Sequence, residues 1–125
     1  MKKSLEHCLD EFFSYLTIER GVSKNTLDAY SRDLVRYLNH LAEVKEIASP
    51  ESVTQSDLLG FLASLKHEGL SPRSRARTLS AIRSFHRYLL RENYSTQDPT
   101  ALVESPRSLS ALPDLLSQNE VDALL

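Results

Sequence analysis

The chain has one cysteine, three isolated glycines and no apolar run near the roughly 20 residues that a bilayer-spanning helix needs. One cysteine excludes an internal disulfide framework and cannot by itself build a zinc site. Three scattered glycines exclude a glycine-rich phosphate loop. His7, His40, His67 and His86 show no H-x-x-x-H spacing, so neither a metal nor any other cofactor is expected. Acidic residues at Glu6 and Asp10 interrupt the start MKKSLEHCLDEFF before a signal-peptide core can form. Together with the lone thiol, this leads us to expect a cytoplasmic protein.

The most telling absence is local. Between Ser71 and Arg91 there is no carboxylate, while six arginines stand there: Arg73, Arg75, Arg77, Arg83, Arg87 and Arg91. The whole chain has a formal net charge of -2, so outside this segment nine basic residues face 17 acidic ones. A surface built for solubility alone intersperses both signs. A concentrated basic face on an otherwise acidic chain points to a polyanionic partner, nucleic acid first, with a solvated arginine-rich face as the plain alternative. The sequence pI near 6.1 excludes a general DNA-coating protein, so any nucleic-acid contact must be local.

At 125 residues and 41% hydrophobic, the chain fits one domain with one helical core. Leu5, Cys8, Leu9, Phe12 and Leu16 recur at spacings of three and four, which predicts a helix from about Ser4 to Glu19, ended by Arg20-Gly21. Ser23 stands where an N-cap belongs. Leu27, Tyr30, Leu34, Tyr37, Leu38 and Leu41 then predict a second helix over Lys24 to Val44. In TQSD, Thr54 and Asp57 form a capping-box pattern opening a third helix with Leu58, Phe61, Leu62 and Leu65 inward and Gly69 as its C-terminal cap.

The fourth helix has the clearest start, with Ser71 as cap and Pro72 at the first helical position, and should run to about Glu92. Its inner half would hold Leu79, Ile82, Phe85, His86, Leu89 and Leu90. Arg73, Arg77, Ser80, Ser84, Arg87 and Arg91 fall within about 80° of one another on the opposite side. Free N–H groups and the macrodipole at Pro72 to Arg75 favour an approaching phosphate. Helix two offers a weaker surface, where Asn25, Ala29, Arg32 and Arg36 turn outward and Asp28, Asp33 and Glu43 dilute the charge. Tyr30, Tyr37 and Tyr88 lie on or beside apolar stripes and are expected to pack. No Ser, His and Asp grouping stands out locally.

From Tyr94 to Pro113 the composition turns to Ser, Thr and Pro, which reads as an extended connector. A second capping box, SQNE at Ser117 to Glu120, leads into Val121, Leu124 and Leu125, a stripe that has only begun at the last residue. The expected organisation is therefore a helical domain over residues 1–94, a linker over 95–113, and the first residues of a further domain over 114–125.

The segments SKNTLDAYSRDLVRYLNHL, GLSPRSRARTLSAIRSFHRYLLRE and DPTALVESPRSLSALPDLLSQNEVDALL, in this order, resemble the N-terminal part of tyrosine site-specific recombinases of the Xer type, in the phage integrase family. The resemblance implies an all-α, four-helix core-binding bundle of the SAM-like kind, with a C-terminal linker entering a catalytic domain missing from these residues. It implies a double-stranded DNA recombination half-site as partner, along with partner recombinase subunits when full length. By position it places Lys24, Asn25, Thr26, Ala29 and Arg32 of helix two at DNA, and Arg73, Ser74, Arg77 and Arg83 of helix four. Arg75 and Arg83 point partly sideways. The family's catalytic arginines, lysine, histidine-type positions and tyrosine nucleophile belong to the C-terminal domain, and none maps onto this sequence. A full-length relative would cut one strand, hold a 3′-phosphotyrosine and rejoin it to a partner strand; this chain is expected to bind and not to cut. The alternatives are a helical protein-interaction module and a small regulator using helices three and four as a helix-turn-helix.

Overall fold

A computed structural model describes residues 4–44, 46–47, 49–101 and 103. The described residues form four α-helices and a 3-10 turn, with no strand: α1 (Leu5–Ile18), α2 (Lys24–Val44), the 3-10 turn Pro50–Ser52, α3 (Gln55–His67) and α4 (Pro72–Arg91). The second capping box at Ser117 to Glu120, most of the predicted linker and the whole of 114–125 lie outside the described residues.

Each helix starts where a side chain can replace a missing intrahelical acceptor. The Ser4 hydroxyl accepts from the His7 N–H, and Ser23 accepts from the Thr26 N–H at 3.2 Å. Thr54 and Asp57 make the full reciprocal capping box. Ser71 accepts from the Ser74 N–H at 3.1 Å, with Pro72 in the first turn. The exits are equally local. Gly21 (φ 61°) and Gly69 (φ 93°) take up left-handed backbone after α1 and α3, where a Cβ would strain the turn. Asn93 (φ 63°) serves the same purpose after α4, and the Tyr94 N–H returns to the Leu89 carbonyl.

The inward faces close a single core. Phe12 of α1 packs on Phe85 and Tyr88 of α4 at ring separations of 5.5 and 5.4 Å, and Tyr37 of α2 packs on Phe61 of α3 at 5.2 Å. Leu34, Leu41, Leu58, Leu65, Leu79, Ile82 and Leu89 are fully enclosed. Each side chain of this size contributes about 1.5–3 kcal/mol by leaving water. Two polar groups share the core: the Tyr37 hydroxyl meets His86 Nε2 at 2.8 Å, and both side chains are buried. Burial pushes the Tyr37 phenol up and lowers the His86 imidazole to about 4, so the ring is neutral at pH 7.

Four expectations differ from the structure. Leu90, at the edge of the predicted inner half, is 40% exposed, and Thr78 is buried instead, its hydroxyl satisfied by the Ser74 carbonyl. Leu27, Tyr30 and Leu62 are only partly buried, because they sit at the rims of their stripes. Asp33, read as an outward charge, is 3% exposed. The first part of the segment read as an extended connector packs on the bundle: Ser95, Thr100 and Val103 are buried. Thr96 donates from both N–H and hydroxyl to Glu51, at 3.0 and 3.2 Å, and Tyr94 donates to Glu11. Short polar side chains here satisfy local backbone, as where the Asp98 carboxylate accepts from the Thr100 N–H and hydroxyl, and so allow an irregular segment to lie on a core.

Candidate nucleic-acid interface

The N-termini of α2 and α4 are built alike. In S-K-N-T the Ser23 oxygen caps the helix and its hydroxyl donates to Thr26 Oγ1 at 3.0 Å; in S-P-R-S the Ser71 hydroxyl does the same to Ser74 Oγ at 3.2 Å. Each cap uses up one N–H of the first turn and leaves others facing outward. Neither first turn contains an acidic residue. Both helix ends thus present positive partial charge to an approaching anion, beside exposed Lys24 and Arg73.

Helices α2 and α4 pack directly on one another, and a polar contact fixes their outer edge. Arg77 Nε and Nη2 donate to the two oxygens of Asp33, each at 3.0 Å. The carboxylate is buried while the Arg77 side chain is 45% exposed. The hydrogen bonds to Asp33 raise the Arg77 pKa further, so the guanidinium stays charged. This two-pronged geometry holds the plane of the guanidinium and leaves Nη1 unengaged by Asp33.

The sequence-predicted residues fall into three groups. Lys24, Asn25, Thr26, Arg32 and Arg73 are exposed, and Ala29 and Ser74 are half-buried at the same ends. Lys24, Arg32 and Arg73 make no ion pair with any described residue. Arg77 is exposed but committed to Asp33. Arg83 is half-buried and donates to the Val103 carbonyl, while Arg75 donates to the Leu70 carbonyl at 3.2 Å. Those two arginines hold the chain segments on either side of α4, in keeping with their sideways direction on the helical wheel.

Sequence reasoning missed Asp33 as the residue that orients Arg77, since nothing local joins positions 44 apart. It also missed a second basic cluster, where Arg20 joins Arg87 and Arg91 around a groove between α1 and α4. Among the described residues no group of three His, Cys, Asp or Glu side chains is placed to hold a metal ion, and no helix is long and apolar enough to cross a membrane.

The family described as "Phage integrase, N-terminal SAM-like domain" matches residues 9–93. Tyrosine recombinase XerD of Oceanobacillus iheyensis is 44% identical over 121 residues, covering 97% of this chain and 41% of that protein. XerD of Listeria monocytogenes serovar 1/2a is 38% identical over 117 residues, or 94% and 39%, and XerD of Halalkalibacterium halodurans is 41% identical over 123 residues, or 98% and 41%. The chain therefore spans about two fifths of the length of these relatives. Among solved structures, a lambda integrase dimer bound to a COC′ core site superposes with a TM-score of 0.71 at 21% identity, covering 83% of this chain and 36% of that one, which supports a shared fold.

Proposed function

This chain belongs to the phage integrase N-terminal SAM-like family, and on that footing we propose that it is the DNA-binding N-terminal domain of a Xer-type tyrosine recombinase. Its ligand is a duplex recombination half-site, approached by the N-termini of α2 and α4. Lys24, Asn25, Thr26, Ala29 and Arg32 line one edge of this face, and Arg73, Ser74 and Arg77 the other; Arg83 supports it from behind through Val103. The observation that carries the reading is the presence of two alike-capped, acid-free helix N-termini on helices that Asp33 and Arg77 join.

The chemistry divides by side chain. Arg73, Lys24 and the first-turn N–H groups neutralise phosphates, which supplies most of the affinity without reading sequence. Arg77, held flat by Asp33, offers its unengaged nitrogen to a base edge and supplies modest preference. The binding step needs no cofactor. In the parent recombinase, residues 1–94 with the packed segment 95–103 form this domain, the linker continues to 113, and 114–125 enter the catalytic part, where a tyrosine attacks one strand and partner subunits exchange it. The same reading puts the protein in the cytoplasm, for chromosome dimer resolution or DNA integration.

The test is a titration of a labelled half-site duplex and a scrambled duplex with the 125-residue chain, across about 50–200 mM salt. The expected result is log affinity falling steeply and linearly with log salt, with modest preference for the half-site. Failure to bind either duplex at the lowest salt contradicts the reading and leaves the protein-interaction module in its place.

A further inference from the structure

Arg20, Arg87 and Arg91 surround a groove of about 420 Å³, together with Tyr15, Ser84 and Tyr88. The groove exists because α1 and α4 lie side by side and run in the same direction. Phe12 meets Phe85 at 5.5 Å, and one turn on Tyr15 meets Tyr88 at 5.2 Å, so the two helices end together.

The three guanidiniums are held close without a matching set of acids. Arg91 lies over the Tyr15 ring at 4.4 Å, and its Nη1 donates to the Tyr15 hydroxyl at 3.1 Å. Arg20 stands beside the same groove, and the two cations lower the Tyr15 pKa, Arg20 first. One phenol thus gathers two positive charges. Glu92 accepts from Arg91 Nε at 3.3 Å, at the outer rim. Arg87 makes no hydrogen bond or ion pair with any described residue and is exposed. Like charges this close repel one another unless an anion joins them.

Part of this has a simpler cause. Cations at helix C-termini offset the negative end of the macrodipole, which accounts for Arg91 at the end of α4 and for Arg20 just past α1. It does not account for Arg87, a full turn inside α4, or for Ser84 another turn back on the same line. That line continues through Ser80 to Arg73 at the face described above. From Arg73 to Arg91 the helix rises about 27 Å, more than twice the ~12 Å width of a B-DNA major groove. An α4 whose N-terminal end enters the groove carries its C-terminal end past the groove wall, where the negative groups of a duplex are its backbone phosphates.

We propose that Arg20, Arg87 and Arg91 form a second DNA contact, a clamp for a backbone phosphodiester flanking the groove that the N-termini of α2 and α4 approach. The inference rests on the DNA-binding reading and extends it to the C-terminal end of α4. One guanidinium fixed on Tyr15, with those of Arg20 and Arg87 beside it on the groove wall, suits the several oxygens of a phosphate, and Ser84 adds a hydroxyl donor. The contact carries no sequence information.

The test compares the unaltered 125-residue chain with Arg87→Gln and with the double variant Arg20→Gln, Arg87→Gln, on two duplexes of unrelated sequence across a salt series. Arg87→Gln is expected to weaken both duplexes by the same factor and to reduce the slope of log affinity against log salt by about 0.9, one phosphate's worth. The double variant should go no further than that one contact, with the melting temperature unchanged in Arg87→Gln and cooperative unfolding kept in both. If the unaltered chain binds duplex and both variants keep its slope, the clamp is overturned while the DNA-binding reading stands. If the slope is kept but binding to poly-glutamate is lost, the groove is a carboxylate site and the clamp is again overturned. If the unaltered chain ignores duplex, both readings fall.

Discussion

Asp33 and Arg77, 44 residues apart in the chain, meet through two parallel 3.0 Å hydrogen bonds that join a buried carboxylate on α2 to a half-exposed guanidinium on α4. Arg77 is thus a structural strut and a surface donor at once. Replacing it with alanine strands the Asp33 carboxylate, which is expected to destabilise the fold by about 1–3 kcal/mol. In urea denaturation the Asp33→Ala, Arg77→Ala double variant should be little worse than Arg77→Ala alone. Strictly additive losses would mean that the pair does not couple.

The same pair separates stability from recognition. Asp33→Asn keeps Arg77 but releases its plane, so duplex affinity should drop and half-site preference narrow, while the salt slope stays near that of the unaltered chain. A slope lowered by a full phosphate would make Arg77 a backbone contact instead.

Acid should loosen the core through His86. Its folded pKa is about 4 against an ordinary 6.5, with burial the main cause, so the folded state binds fewer protons than the unfolded one. The stabilisation from keeping this ring neutral is complete above pH 6.5 and declines as pH falls towards 4, by about 3 kcal/mol in all. Urea midpoints at pH 7.5, 5.5 and 4.5 should show the decline, and His86→Gln should flatten that part of the profile.

Ser71→Ala and Thr54→Ala each remove an N-cap and should each cost about 1 kcal/mol. Their effects on duplex binding should differ. Ser71 caps a helix end inside the proposed interface, so its loss is expected to lower affinity; Thr54 opens α3, outside the proposed interface, so its loss should leave affinity unchanged. Anisotropy titrations at equal folded fraction compare the two.

A chain ended at Tyr94 loses the buried Val103, its contact with Arg83, and the Thr96 to Glu51 bonds. It should be less stable than a chain ended at Val103 by at least about 2 kcal/mol. Equal melting temperatures would make residues 95–103 a passive tether.

The parts legible in the sequence were those fixed by short-range chemistry. The Thr54 and Asp57 box, Ser71 before Pro72, and Gly69 after α3 each act within one turn, so the helix bounds could be read from a few neighbouring residues. Exposure of Arg32 and Arg73 followed from helical phase alone. What escaped depends on the packing of separate elements. Phase put Asp33 on the flank of α2, and only the approach of α4 turned that flank into an interior. His86 and Tyr37 were each legible as inward, but their hydrogen bond was not. Arg20 had no visible connection to Arg87 until α1 and α4 were seen to end together.

The central claim, that the N-termini of α2 and α4 face a double helix, is tested most directly by following backbone amide signals of the labelled chain as a half-site duplex is added. The account predicts the largest shifts at Lys24 to Thr26 and Arg73 to Arg77, a smaller set at Arg20, Arg87 and Arg91, and little change along α3. Shifts concentrated on α3, or none at low salt, would contradict it.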